Sequence, residues 1–338
     1  MNRITRFCVV PITSKGRNAM RRAISVLGIG ILSLWASVPS FAGMQKDLKD
    51  CAAANRTQSA GACTRILASG RLPKKQYYIA YFNRGWSHRN ADDNAKALAD
   101  FNRAAKYYPD YSRTYASRAL VHNDLGNLEE AVRDLDRAIA LNSEDWSAFF
   151  SRAVILRKLS RREDALTDLD RSAQLKKDEA KVGILRGLIL AELGRFDAAH
   201  RQVEDLASTK ASKAEVSYVR GVLDLREGNL SNALAHSNTA IDLEPTFTAA
   251  YALKGEIMEA RGDNAAAKIA YERALSAPPR LLDGKQAKLT AQERVASLTG
   301  RLPSGTTAMQ NKPSVSDGPL GCRRYIPGAS LTIAVACD

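Results

Sequence analysis

The chain is poorly supplied with the side chains that do chemistry. Among its 338 residues there are four histidines and five cysteines, and aromatic residues make up 7%. No His/Cys/carboxylate set stands at zinc-ligand spacing, and neither a phosphate-cradling glycine loop nor a nucleophile elbow occurs. No catalytic residue, metal site or cofactor is therefore expected. Five cysteines are too few for a disulfide-dense miniature scaffold. A mean hydropathy of −0.28, with a single long apolar run, excludes a polytopic membrane protein. Acidic residues are missing from residues 1–42, which hold six of the 50 basic side chains. Without that stretch the net charge falls from +14 to +8, thinly spread. The cations do not interleave with aromatics, so nucleic acid is not an expected partner.

Residues 21–42 have the anatomy of a secretory leader. Arg21 and Arg22 form a basic edge, Ala23 to Val38 an apolar core, and Ser40-Phe41-Ala42 a small-residue site for cleavage before Gly43. The other readings are a buried apolar helix or a retained membrane anchor. No cysteine directly follows the core, which disfavours a lipoprotein. Met20 is an alternative start that gives a leader of ordinary length. Cleavage at 1–42 removes Cys8, leaves no stable membrane insertion and places the chain across the inner membrane, in the periplasm. Four cysteines then remain, and an even count in an exported chain favours pairing.

The main signal is an internal repeat. Gly85, Ala119, Ala153, Gly187, Gly221 and Gly255 recur at one constant interval, with no slip. Twelve positions after each stands an alanine: Ala97, Ala131, Ala165, Ala199, Ala233 and Ala267. Seven further on come Ala104, Ala138, Ser172, Leu206, Ala240 and Ala274. Four positions after each alanine a larger group recurs less regularly, as Phe101, Leu135, Leu169, Val203, Ser237 and Tyr271. Between Glu129 and Leu141 the apolar residues keep the spacing of one helical face. Gly126, Gly194, Gly228 and Gly262 break the pattern mid-unit, where a left-handed helix cap suits glycine. Each unit thus reads helix, turn, helix, and one pair cannot cover its own apolar face without a stacked neighbour.

The pattern Gly85, Ala97, Phe101, Ala104, Pro109 resembles the tetratricopeptide repeat (TPR) family, in its exported bacterial form, and the resemblance runs over six copies from Tyr78 to Pro279. It implies an all-α, right-handed α-solenoid: six repeats over 78–279 and a degenerate helical pair over 43–77. In the fourth unit Leu206 departs from the small-residue pattern, which should loosen packing there. Extending the lattice one unit back puts Cys51 and Cys63 at the two positions that face each other in this family. The resemblance therefore implies a Cys51–Cys63 disulfide stapling the first pair.

Beyond the repeats, Thr290-Ala291-Gln292-Glu293 has the form of a capping box opening a final helix through Leu298, within a capping segment 280–300. Residues 301–321, rich in Pro, Ser, Gly and Thr, read as a flexible linker. Leu331, Ile333 and Val335 alternate like a strand, and Pro327-Gly328 supplies a turn. Residues 322–338 thus read as a hairpin tied at its open end by Cys322 and Cys337, either a docking element or a protective tail.

In the family, first helices line the concave face through fixed positions, the fifth and ninth of each unit among them. Here these supply Phe82, Trp86, Leu120, Phe150, Val154, Ile184, Leu188, Tyr218 and Val222 as an apolar ligand groove. Phe82 and Trp86 stand where some relatives begin a lysine-and-asparagine clamp for C-terminal carboxylates, so that clamp is not expected. Arg84, Arg118 and Arg152 each precede an aspartate (Asp100, Asp134, Asp168) by the same interval and should pair within their unit. Arg186, Arg220 and Lys254 lack such an acid and could meet an acidic partner. His88 and His122 occupy a position usually held by a packed tyrosine, and are read as packing. These features imply a non-catalytic periplasmic scaffold that binds a protein or peptide in its concave groove. The alternatives are an envelope-assembly adaptor acting through outer faces and the C-terminal hairpin, or, more remotely, an enzyme accessory subunit.

Overall fold

The computed structural model describes residues 41–52, 59–278, 284–300, 323–326 and 331–334. The leader reading falls on residues 1–42, of which 1–40 lie outside the described residues. So do the linker 301–321 and both Cys322 and Cys337.

The first helical pair is α1 (Phe41–Cys51) with α2 (Ser59–Ser69). Six pairs follow: α3 (Tyr77–Asn90) with α4 (Asn94–Tyr107), α5 (Ser112–Asp124) with α6 (Leu128–Leu141), and α7 (Trp146–Lys158) with α8 (Arg162–Leu175). Then come α9 (Ala180–Glu192) with α10 (Phe196–Ala207), α11 (Lys213–Glu227) with α12 (Leu230–Leu243), and α13 (Thr248–Ala260) with α14 (Asn264–Ser276). A single helix, α15 (Gly284–Leu298), closes the stack against α13 and α14. Helices touch only their own pair and the adjacent ones, the contact pattern of a solenoid. Strands β1 (Arg323–Ile326) and β2 (Leu331–Ala334) pair antiparallel, Arg323 opposite Ala334 and Ile326 opposite Leu331.

Side-chain volume explains the lattice. The six alanines from Ala97 to Ala267 are at most 1% exposed, each at a closely packed helix crossing. In the first and sixth units glycine precedes them and faces an aromatic ring, whereas Gly187 and Gly221 face Val219 and Leu253 of the following unit. A Cβ on Gly85 would lie 3.0 Å from the Phe101 ring. In the second and third units Leu135 and Leu169 leave room for Ala119 and Ala153. Leu206 does not loosen the fourth unit as its size suggested. It is fully buried, and it fits because Gly183 stands where other units carry Tyr81, Tyr115 or Phe149, its missing Cβ lying 2.7 Å from Leu206 Cδ2. The bulk has moved across the same gap.

The mid-unit turns repeat as strictly. Gly126, Gly194, Gly228 and Gly262 have φ between 69° and 85°, and Asp92 (56°) and Ser160 (60°) hold the same left-handed position in the first and third units. Left-handed backbone costs a side chain about 1–2 kcal/mol, which makes glycine the common solution.

Cys51 and Cys63 form a disulfide with Cα atoms 4.8 Å apart, joining α1 to α2 where later pairs use Gly or Ala against Ala. The final helix requires a correction. It begins at Gly284, so Thr290 lies inside it and is not its N-cap. Ala287 and Ala291 are buried on α14 and α13, and that apolar stripe carries the helix upstream of the apparent box.

Candidate concave binding face

Two arginine ladders position the first helices. In the first, Arg84, Arg118 and Arg152 each grip their own unit's aspartate with Nε and Nη2, as the constant sequence interval predicted. Arg84 meets Asp100 at 2.7 Å, and Arg152 meets Asp168 at 2.7–2.8 Å. Each Nη1 reaches back: Arg84 to Thr64 (3.0 Å), Arg118 to Asn102 (2.7 Å) and Arg152 to Asp136 (2.6 Å). One guanidinium therefore ties two units together. The backward link persists without the forward one at Arg186, which pairs with Asp170 (2.8 Å), and at Lys254, which donates to Asn238 (2.8 Å). Arg186 and Lys254 are thus engaged inside the solenoid rather than left for an acidic partner. Arg220 is exposed and its guanidinium has no ion pair among the described residues. His236, which takes the place of the paired acid in that unit, turns instead to Asp224 (2.7 Å).

Each of the four histidines lies beside a carboxylate. His88 and His122 approach Asp100 and Asp134 at 3.7 and 3.8 Å, and burial pushes the His122 imidazole below its usual range. His200 meets Glu227 at 2.8 Å. Among the described residues no group of three or more His, Cys, Asp or Glu could hold a metal ion, and no helix is long and apolar enough to cross a membrane.

Of the nine apolar groove residues, Phe82, Trp86, Leu120, Phe150, Val154, Tyr218 and Val222 are half-buried and keep part of their surface accessible. Phe82 packs edge-on against Phe101 and Tyr111, and Trp86 Nε1 donates to Ser117 Oγ at 3.0 Å. Ile184 and Leu188 differ. They are 6% and 2% exposed, because α9 packs directly on α11 and Val219 comes within 3.1 Å of where a Gly187 Cβ would lie. The face therefore offers apolar surface on units one to three and again on unit five, interrupted at unit four.

Sequence reasoning missed a second ladder, although its signal, a recurring spacing between opposite or complementary groups, was present. Residue twelve of one unit meets residue thirteen of the next. Arg89 pairs with Asp124 (2.8 Å), Asn123 accepts from Lys158 (2.9 Å) and Arg157 meets Glu192 (2.9 Å). Arg294 of α15 continues the register by lying 3.5 Å from Glu259. Burial works to raise the Glu192 carboxyl, yet Arg157 and Arg162 together hold it below the usual carboxylate range. Glu256 ends the otherwise apolar row of ninth residues. Burial pushes its carboxyl upward, with Arg226 and Arg294 opposing. A tyrosine cluster on α3–α5 was also missed. Tyr81 stacks on Tyr107 and Tyr108 on Tyr111, with Tyr107 and Tyr108 40% and 43% exposed.

Comparison with known proteins agrees with this architecture. A tetratricopeptide repeat model matches residues 78–111, and a model of the N-terminal domain of the ESX-1 type VII secretion system protein EccA1 matches residues 108–270. A search of curated proteins found no match. Among solved structures, a tetratricopeptide repeat protein from Parabacteroides merdae is 17% identical, with a TM-score of 0.63 over 74% of this chain and 97% of its own. PilW, described as a type IV pilus biogenesis factor, is 14% identical, with a TM-score of 0.51 over 63% and 99%. At these identities the likeness concerns the fold.

Proposed function

Since the chain belongs to the tetratricopeptide repeat family, we propose that it is a non-catalytic periplasmic scaffold that holds a protein or peptide segment against its concave face. The observation that carries this reading is the set of half-buried Phe82, Trp86, Leu120, Phe150, Val154, Tyr218 and Val222 on the first helices of units one to three and five. Apolar and aromatic surface lined up along a rigid groove suits an extended or helical segment. The two ladders tie successive units together and so support the register of these first helices. Export is supported by the leader-like residues 21–42 and by the Cys51–Cys63 disulfide, which persists in oxidising compartments. Arg220 remains available as a contact for an acidic partner.

A second reading, an adaptor working through outer faces and the C-terminal hairpin, draws on the exposed Tyr107, Tyr108 and Ile79. One experiment separates the two. Partners are captured by crosslinking in the native compartment for the wild type, for Trp86→Ala with Phe150→Ala, and for a chain ending at residue 300. The groove reading expects the double variant to lose its partner with helicity intact and the truncation to keep it. The opposite result favours the adaptor.

A further inference from the structure

Acidic residues are absent between Asp50 and Asp92, an interval that holds seven Lys or Arg residues. Three of these are matched from outside it: Arg65 by Asp47, Arg84 by Asp100 and Arg89 by Asp124. Lys74 and Lys75 are exposed and make no ion pair among the described residues. They stand in a single 3-10 turn, Lys74–Gln76, immediately before α3, whose first turn carries no acid. The start of a helix is the end at which the peptide dipoles disfavour cations, so folding does not account for two lysines there.

That turn lies against both α3 and α4. Tyr77 of α3 meets Tyr107, the last residue of α4, with ring centres 5.3 Å apart, and Tyr107 stacks on Tyr81 at 5.6 Å. The Arg103 guanidinium lies 5.6 Å from the centre of the Tyr81 ring. Arg103 and Lys106 are both exposed, and neither makes an ion pair among the described residues. Tyr107 keeps 40% of its surface accessible. The next acid along the chain, Asp110, lies 3.5 Å from Arg137, which offsets its charge. Four cations without a counter-charge thus stand beside a tyrosine stack at the end of one helix pair.

We propose that this face docks the mature protein on an anionic phospholipid surface, as a peripheral contact without insertion. The occupant follows from the mixture of side chains. A tyrosine ring carries an apolar body and a polar tip, the combination favoured at the headgroup level of a bilayer. Lysine stems lie along apolar surface while their ammonium groups reach phosphate, and each Lys or Arg near an anionic surface adds to binding. An acidic polypeptide would answer the charges alone, whereas lipid headgroups answer the charges and the rings together. None of these residues belongs to the concave row, so the proposal stands or falls independently of the groove reading.

The purified mature protein is floated with vesicles of phosphatidylcholine alone and of phosphatidylcholine with about 30% phosphatidylglycerol. It should float with the anionic vesicles only and be released by high salt. Lys74→Glu with Lys75→Glu should weaken this partition about tenfold or more, and Tyr107→Ala about threefold. Lys210→Glu with Lys213→Glu changes the net charge equally at two exposed lysines elsewhere and should leave flotation nearly unchanged. Equal weakening by the two charge-reversed pairs would show attraction to net charge and overturn the proposal. So would equal flotation with both vesicles, or flotation with neither. Retention on an immobilised oligoglutamate peptide, without flotation, would assign the face to an acidic polypeptide instead. Melting curves of each variant establish that the solenoid is intact.

Discussion

Gly255 lies against the ring of Tyr271 so closely that a Cβ on it would overlap the ring edge. The glycine of the sixth unit and the fully buried tyrosine opposite are therefore one volume, divided between the two helices of a pair. The substitution Gly255→Ala should destabilise by about 1–3 kcal/mol, the usual cost of overpacking. Adding Tyr271→Leu, which restores the Ala–Leu combination of the second and third units, should recover part of it. Thermal melting of the single and double variants measures the coupling.

Arg152 is the guanidinium held by two aspartates, Asp168 within its unit and Asp136 in the one before. Removing it leaves the 6% exposed Asp168 side chain without its counter-charge. Arg152→Ala should cost about 2–4 kcal/mol, and Arg152→Lys should restore only part, because a point charge cannot reproduce the fork. Asp136 is 54% exposed, and Asp136→Asn should change stability by less than about 1 kcal/mol. Denaturant titration distinguishes the two acids.

Glu256 contributes a pH dependence of its own. Its carboxyl is raised in the folded chain by burial, against the fields of Arg226, Arg294 and Arg157 and with that of Glu259. The folded state therefore holds the proton more tightly than the unfolded one. Stability falls as pH rises from the unfolded value, about 4.3, towards the folded one. Glu256→Gln should be more stable than the wild type at pH 7, with the difference vanishing below about pH 4. Melting temperatures of both proteins across that range show it.

The repeat was legible because closely packed helices tolerate few side-chain sizes, and the Gly/Ala positions report those crossings directly. The Cys51–Cys63 bridge was implied by the family resemblance once the lattice was extended one unit back. What stayed hidden depended on three-dimensional partners. Ile184 and Leu188 carry the same apolar signal as Val154 and Val222, and only the close approach of α11 to α9 buries them. Arg186 and Lys254 lack an acid ahead of them in their own unit, but their partners Asp170 and Asn238 lie as far behind, a direction the intra-unit reading did not consider. Thr290 mimicked a helix start because its motif is local, whereas the helix is held by Ala287 and Ala291.

The disulfide between Cys51 and Cys63 closes a short loop in the end pair, which has a stacked neighbour on one side only. Its loss should lower stability by roughly 3 kcal/mol in the chain-entropy model. Thiol titration of the unfolded mature protein carrying Cys322→Ser and Cys337→Ser, without reductant, should find neither remaining cysteine free. Two reactive thiols would show that the pair is held by packing alone.

The most direct test of the concave-face account is a photo-crosslinking amino acid placed at single sites in the native compartment. Positions 86, 154 and 222 should each yield an adduct with the same partner, while positions 137 and 171 on the second helices, where Arg137 and Arg171 are 49% and 40% exposed, should yield none. Adducts from 137 and 171 with silence at the three groove positions would contradict it.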